Sequence, residues 1–130
     1  MRRGARMLTE QRISRERYHL VAIRSPELAE LEGFRFDFVF ASSVAQYLSD
    51  EDLAKLFGSL RGLVNEGATL FVSFPDESWI DVLKRKGNYY RAPQTMLAIA
   101  RSAGFVATVG DKAESGYPLG PHLLMKPAPV

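Results

Sequence analysis

The stretch that decides the fold runs from Phe36 to Pro75 and reads FDFVFASSVAQYLSDEDLAKLFGSLRGLVNEGATLFVSFP. Its first six residues, Phe36–Ala41, are apolar except for Asp37, and they alternate between two faces as a strand does. Apolar residues on both faces are typical of a strand inside a parallel sheet that is covered on both sides. The pattern therefore predicts the α/β class.

An amphipathic helix follows this strand. Ser49 is placed to cap its first turn, and the acidic residues directly after Ser49 complement the positive end of the helix dipole. Apolar residues then recur at spacings of three and four: Leu53, Leu56, Phe57, Leu60, Leu63 and Val64. We expect Asn65-Glu66-Gly67 to end the helix in a left-handed turn and residues 69–74 to form the next strand. The unit is a β-α-β crossover with parallel strands.

Further strands and helices alternate on either side of the crossover. They are a helix at 2–12, a strand at Tyr18–Ile23, a turn at 27–32 stopped by Gly33, a short helix capped by Asp76 or Ser78, a helix from Pro93 to Gly104, and strands at 105–109 and 122–125. Only a loop separates the last two strands, so we expect them to be an antiparallel pair at one edge of the sheet.

Composition excludes several classes of protein. The chain has 130 residues, 46% of them hydrophobic, which suits a single domain over residues 1–130. Its formal charge is only +2, and the seven arginines within residues 1–24 are more simply a solvated helix face than a nucleic-acid surface. No cysteine is present, so disulfides and thiolate chemistry are excluded. No apolar run approaches the ~20 residues of a membrane span, and we expect a cytoplasmic protein.

A resemblance to a known family rests on four segments in a fixed order. They are FDFVFASSVAQYLSDEDL, LRGLVNEGATLFVSFPD, MLAIARSAGFVATV and HLLMKP. Within them, Leu63–Ala68 stands where the family has a corner before its fifth strand, Ala103-Gly104-Phe105 matches the start of the sixth, and Lys126-Pro127 follows the last predicted strand, as it often does in the family. The series resembles the second half of class I S-adenosylmethionine-dependent methyltransferases over nearly the whole chain. No single motif carries it.

The resemblance implies an incomplete Rossmann-like methyltransferase sheet, mostly parallel with an antiparallel C-terminal strand pair. Residues 1–23 look like the family's second helix and third strand. The family holds its cofactor with a Gly-x-Gly turn after the first strand and an acidic residue after the second, and neither is present here. Arg24-Ser25-Pro26 also stands where an adenine-contacting acid is usual. The resemblance therefore implies a domain without the N-terminal cofactor-loop unit and with half of a cofactor site.

The missing strands leave an exposed strand edge. The family's sheet order is 3-2-1-4-5-7-6, so without strands 1 and 2 the strand Phe36–Ala41 lies at an edge. An apolar edge strand is a template for pairing. We expect it to pair with a second copy of the chain, with another polypeptide, or with the strand at Tyr18–Ile23.

Candidate site residues follow from the end of this strand. Ligands of open α/β sheets bind outside the carboxyl ends of the strands. The resemblance implies that Ala41, Ser42, Ser43 and Gln46 lie beside the cofactor S-adenosylmethionine and that Tyr47 lies beside the substrate. A simple turn at the two serines and packing of Tyr47 on the helix explain the same residues equally well.

A second group of candidates lies in the aromatic region after the fifth family strand. Trp79, Tyr89, Tyr90 and Arg91 stand where the family often builds a lid over a small-molecule substrate. An aromatic cluster is also typical of a hydrophobic seal.

The remaining polar residues form no recognisable catalytic set. His19 and His122 are the only histidines, and neither has a second metal ligand at suitable spacing, so we expect no metal site. Either histidine can act as a general base, although ordinary packing is the simpler interpretation. Asp76 fits a helix cap better than a contact to substrate.

The sequence thus supports two main functional hypotheses. The first is a partial methyltransferase that acts on a small-molecule acceptor once a partner or second copy completes its cofactor site. Methyl transfer depends on positioning and needs no catalytic triad. The alternative is a non-catalytic methyltransferase-like module for binding or assembly. A nucleic-acid accessory role for the arginines is a weaker third possibility.

Overall fold

The computed structural model describes residues 22–110 and 121–129. The helices and strands are β1 Phe36–Ala41, α1 Asp50–Leu63, β2 Val64–Ser73, α2 Ile80–Arg85, α3 Pro93–Ser102, β3 Phe105–Gly110 and β4 His122–Pro127. Short 3₁₀ turns lie at Ala29–Leu31, Ala45–Tyr47 and Glu77–Trp79. The predicted helix at 2–12 and most of the predicted strand Tyr18–Ile23 lie outside the described residues.

The four strands form one sheet in the order β1-β2-β4-β3. β1 is parallel to β2, and β4 is antiparallel to both of its neighbours, β2 and β3. Three strands therefore share a direction and β4 is reversed. This arrangement confirms the predicted α/β class, the mostly parallel sheet with an antiparallel C-terminal pair, and the position of β1 at an edge of the described sheet.

The core lies between the sheet and the helices α1 and α3. The register places Leu70 opposite Met125 and Val72 opposite Leu123, and these four side chains are buried. The apolar residues of the two helices that complete this core are Leu53, Phe57 and Leu60 on α1 and Met96, Leu97 and Ala100 on α3. Ser49 caps α1 as predicted, since its hydroxyl accepts a hydrogen bond from the Asp52 N–H at 3.2 Å.

The second face of β1 differs from the expectation. Phe38 is 60% exposed and Phe40 is 51% exposed, whereas Val39 and Ala41 pack against the core. The prediction that both faces of this strand are covered is wrong within the described part of the chain. The reason is that the apolar faces of α1 and α3 join one core on the side of Val39.

The corner after α1 also differs from the expectation. Val64, where the helix ends, already has extended backbone (φ −109°, ψ 148°), and Asn65-Glu66-Gly67 belong to β2 instead of forming a left-handed stop. The pairing with β1 is irregular here, because Phe36 pairs with Val64 but Phe38 pairs with Thr69. The Asn65 side-chain amide donates a hydrogen bond to Asp37 Oδ1 at 2.8 Å, which ties the corner to β1.

Gly104 ends α3 as the sequence predicts. Its φ of +96° lies in the region that favours glycine. Arg61 of α1 donates hydrogen bonds from Nε to the Gly104 carbonyl at 3.0 Å and from Nη2 to the Ala128 carbonyl at 2.9 Å. A Cβ at position 104 would lie 3.4 Å from Arg61 Nε. This close contact joins α1, the end of α3 and the end of the described chain.

No helix within residues 22–110 and 121–129 is long and apolar enough to cross a membrane.

Candidate functional site at the carboxyl ends of β1 and β2

The candidate site begins with a strained turn after β1. Ser43 has φ +55°, a left-handed conformation that is uncommon for residues other than glycine. Its N–H donates a hydrogen bond to Ser73 Oγ at 3.0 Å. Ser73 is the last residue of β2 and is fully buried. The two strand ends are thus joined by a hydrogen bond that favours this turn, and strained backbone of this kind is often found at ligand sites.

Gln46 lies in the 3₁₀ turn that follows. Its backbone carbonyl accepts a hydrogen bond from the Tyr89 N–H at 2.7 Å, and the residue is only 8% exposed. The side-chain Oε1 is shielded from solvent and has no hydrogen-bond partner among the described residues. A buried polar atom without a partner costs about 1–3 kcal/mol. Such an atom is a candidate for contact with a ligand.

Arg91 fastens this turn to the start of α1. The side chain is 4% exposed, and Nη1 donates to the Ala45 carbonyl at 2.8 Å while Nη2 donates to the Leu48 carbonyl. Nε donates to Asp50 Oδ1 at 2.5 Å. The guanidinium carbon also lies 5.5 Å from the centre of the Tyr89 ring. All three nitrogen atoms of the guanidinium donate hydrogen bonds to other residues of the chain, and this favours a positioning role for Arg91.

The residues predicted to bind the cofactor come together at the carboxyl ends of β1 and β2. Ala41 ends β1, Ser42 and Ser43 follow directly, and all three are half-buried. Gln46 is buried in the next turn. Contact of these four residues with a cofactor remains a prediction.

The residues predicted to bind the substrate divide into two groups. Tyr47 ends the 3₁₀ turn that contains Gln46 and is 64% exposed. Tyr89 is 46% exposed, and the contacts above link it to the Gln46 carbonyl and to Arg91. Tyr90 is half-buried. Trp79 is 53% exposed and ends a separate 3₁₀ turn, which Asp76 caps by accepting a hydrogen bond from the Ser78 N–H at 2.9 Å. The cap interpretation of Asp76 is confirmed, and the substrate role of the others stays a prediction.

His122 lies at the same end of the sheet; the sequence analysis named it as a possible general base but did not include it among the predicted cofactor or substrate residues. It begins β4, pairs with Ser73 of β2 and is 7% exposed. Its ring stacks on Phe71 at 4.5 Å between ring centres, and Phe71 stacks on Phe40 at 5.3 Å. His122 Nδ1 is buried without a hydrogen-bond partner among the described residues. The only signal in the sequence was a histidine at the start of a strand.

Ionisable groups give no metal site in the described ranges. No group of three or more His, Asp or Glu residues there is arranged to hold a metal ion.

A hydrogen bond with the Ser25 side chain lowers the pKa of Glu27. Glu27 lies beside Gly62 and Leu63 at the C-terminal end of α1, away from the carboxyl ends of β1 and β2.

Sequence comparison assigns the chain to no family. No family model matches it, and no curated protein matches it significantly.

Comparison with solved structures is informative about the fold. The chain is similar to an O-methyltransferase family protein from Burkholderia thailandensis, with a TM-score of 0.72 and 15% identity over 98% of this chain and 41% of that one. It is also similar to the mitomycin 7-O-methyltransferase MmcR, with a TM-score of 0.73 and 15% identity over 95% of this chain and 38% of that one. The chain has a methyltransferase-like fold. It resembles the C-terminal portion of a class I S-adenosylmethionine-dependent methyltransferase.

A third structure shows the same fold with a ligand. Magnesium protoporphyrin IX methyltransferase from Synechocystis, solved with bound S-adenosylhomocysteine, has a TM-score of 0.55 and 19% identity to this chain. The match covers 82% of this chain and 49% of that protein. Because this chain spans less than half the length of these three methyltransferases, the likeness describes one part of their fold.

Replacing Arg91 tests whether it holds the site in shape. We expect Arg91→Met to lower the free energy of unfolding by about 2–4 kcal/mol, because the carbonyls of Ala45 and Leu48 lose their donors. Chemical denaturation measures this change. Arg85→Met is the matched control, since Arg85 is exposed on α2 and its one hydrogen bond to the described residues is long, 3.4 Å. Equal stability of the two variants would contradict the positioning role.

Proposed function

We propose that this chain supplies one side of an S-adenosylmethionine-dependent methyltransferase site, at the carboxyl ends of β1 and β2. A small-molecule acceptor receives the methyl group when the other side of the cofactor site is contributed by a partner or a second copy of the chain. The observation that carries the proposal is the buried Oε1 of Gln46 at these strand ends, which has no hydrogen-bond partner among residues 22–110 and 121–129. The likeness to solved methyltransferases supports it.

The described residues fit part of the cofactor. Gln46 offers a buried amide oxygen to a hydrogen-bond donor, and the left-handed conformation of Ser43 turns the chain at the end of β1. The sequence has no Gly-x-Gly turn to receive the rest of the cofactor. The cofactor would supply an electrophilic methyl group on sulfur. The chain's own part is to bind it on one side, to orient the acceptor with Tyr47 and Tyr89, and to exclude water.

The competing hypothesis is a binding or assembly module without catalysis. It is favoured by the edge position of β1 and by the 60% exposure of Phe38 on that strand. An apolar edge strand promotes pairing between chains. We propose that β1 pairs with a second copy or with another polypeptide, and that this contact serves either function.

Titration with S-adenosylhomocysteine tests the cofactor half of the proposal. We expect calorimetry to show binding in about the micromolar range, and Gln46→Leu to weaken it about tenfold because one buried hydrogen bond is lost. Gln94→Leu is the control, because Gln94 is exposed on α3. Absence of binding by a folded wild-type chain, both as a monomer and when self-associated, would overturn a cofactor site formed by this chain or by two copies of it and would favour the binding module.

A charged residue on the edge strand β1 tests whether two chains pair through this strand. We expect Phe38→Lys to shift the wild-type dimer to monomer in analytical ultracentrifugation, because a charged edge resists pairing. Val106→Lys is the matched control: Val106 is 55% exposed on β3, at the opposite edge of the described sheet. A wild-type chain that stays monomeric at high concentration, or a dimer that only Val106→Lys dissociates, would contradict pairing through β1.

A further inference from the structure

The face of the sheet opposite the core, here called the far face, carries exposed apolar side chains. The apolar residues of α1 and α3 join the core against the other face. On the far face Phe38 is 60% exposed, Val106 is 55% exposed and Leu124 is 41% exposed. These side chains belong to β1, β3 and β4, so the exposed apolar surface extends across the width of the described sheet.

The strand register arranges the far face in two rows. The first row crosses all four strands through directly paired neighbours: Phe40, Phe71, Leu124 and Thr108. The second row lies two residues further along each strand: Phe38, Thr69, Lys126 and Val106. Neighbouring strands are about 4.8 Å apart, so each row is ~14 Å wide. Lys126 is the one charged residue of the two rows.

The geometry of this surface favours a helix as its occupant. The backbone donors and acceptors of paired strands lie in the plane of the sheet, so the far face offers side chains alone. A segment that covers it must satisfy its own backbone hydrogen bonds, as an α-helix does. A helix with its side chains is about 10–12 Å in diameter, which suits a surface of this width. Helices are also the usual layer on the faces of a mostly parallel sheet.

Lys126 determines the charge that such a helix must carry. Its side chain is exposed, and the ion pairs of the described residues, Lys55–Glu51 and Arg91–Asp50, do not include it. An ammonium group is costly to bury unless it is paired with an opposite charge. A helix that covers Lys126 must therefore place a carboxylate beside it.

A second copy of the chain fits the far face less well than an acidic helix does. A two-fold contact joins the same patch of both copies. Lys126 belongs to β4, an inner strand of the described sheet, and no acidic residue belongs to the two rows. Packing of two far faces would therefore bring two ammonium groups together without a carboxylate from either face.

We propose that the far face is a docking site for an acidic amphipathic helix of another polypeptide. The apolar side of that helix packs on Phe38, Leu124 and Val106, and a carboxylate pairs with Lys126. This inference goes beyond the proposed function, because neither S-adenosylmethionine nor a methyl acceptor takes part in it.

Two labelled peptides of about 14 residues are the probes, since much shorter isolated helices are marginal in water. Both carry leucines at spacings of three and four on one face. One carries glutamates beside the leucines, and its match carries lysines at the same positions. We expect fluorescence anisotropy to show that the full wild-type chain binds the glutamate peptide about tenfold more tightly than the lysine peptide.

Variants of two exposed positions on β4 separate the charge from the apolar contact. We expect Lys126→Glu to reverse the preference, so that the lysine peptide binds about tenfold more tightly. We expect Leu124→Ser to weaken both peptides about tenfold, because apolar contact is lost. Because β4 is an inner strand, strand pairing at the β1 edge does not account for either change. Circular dichroism verifies that both variants are folded.

Arg101→Glu is the matched control for the charge reversal. It changes the net charge as Lys126→Glu does, but Arg101 is exposed on α3, the helix that packs against the other face of the sheet. We expect this variant to keep the wild-type preference for the glutamate peptide.

Several results would contradict the proposal. They are equal affinity of the wild type for the two peptides, an equally large reversal by Arg101→Glu, and unchanged peptide binding by folded Leu124→Ser. Self-association that Leu124→Ser abolishes would make a second copy the occupant, and binding to phosphatidylserine vesicles that Lys126→Glu abolishes would make it a membrane surface. Failure of the full chain to bind either peptide would reject helix docking on this face.

Discussion

The parallel pairing of β1 with β2 is the constraint on which the rest of the structure depends. It brings the carboxyl ends of the two strands together, so that the Ser43 N–H reaches Ser73 Oγ. That hydrogen bond offsets part of the cost of the left-handed conformation at Ser43, about 1–3 kcal/mol for backbone of this kind. The chain then enters the turn that contains Gln46, and the buried side-chain amide of Gln46 therefore lies at the carboxyl ends of these strands.

A network of backbone contacts connects that turn to the aromatic loop before α3. Tyr89 donates to the Gln46 carbonyl, and Arg91 bonds the carbonyls on both sides of the turn and the carboxylate of Asp50. The loop, the turn and the first turn of α1 therefore hold one another in place. A ligand that contacts Gln46 lies next to residues whose positions are already fixed, and such preorganisation lowers the cost of binding.

Local signals predicted much of this fold, and distant contacts explain the errors. The Ser49 cap, the apolar stripe of α1 and the stop at Gly104 depend on neighbouring residues, and the structure has all three. The predicted stop at Asn65–Gly67 is wrong because Asn65 bonds Asp37, 28 residues away. Arg91 likewise meets an acid 41 positions earlier in the sequence. Sequence order predicted where the candidate site lies, whereas the register that sets His122 beside Ser73 required the structure.

The most direct test of the account is a chemical-shift map of the ¹⁵N-labelled chain titrated with S-adenosylhomocysteine. We expect the largest amide shifts at Ser43, Gln46 and Ser73, at the carboxyl ends of β1 and β2. We expect small shifts at Gly62, near the opposite ends of the strands. Shifts centred on Gly62, or no shifts at saturating ligand, would contradict the proposal that the carboxyl ends of β1 and β2 bind the cofactor.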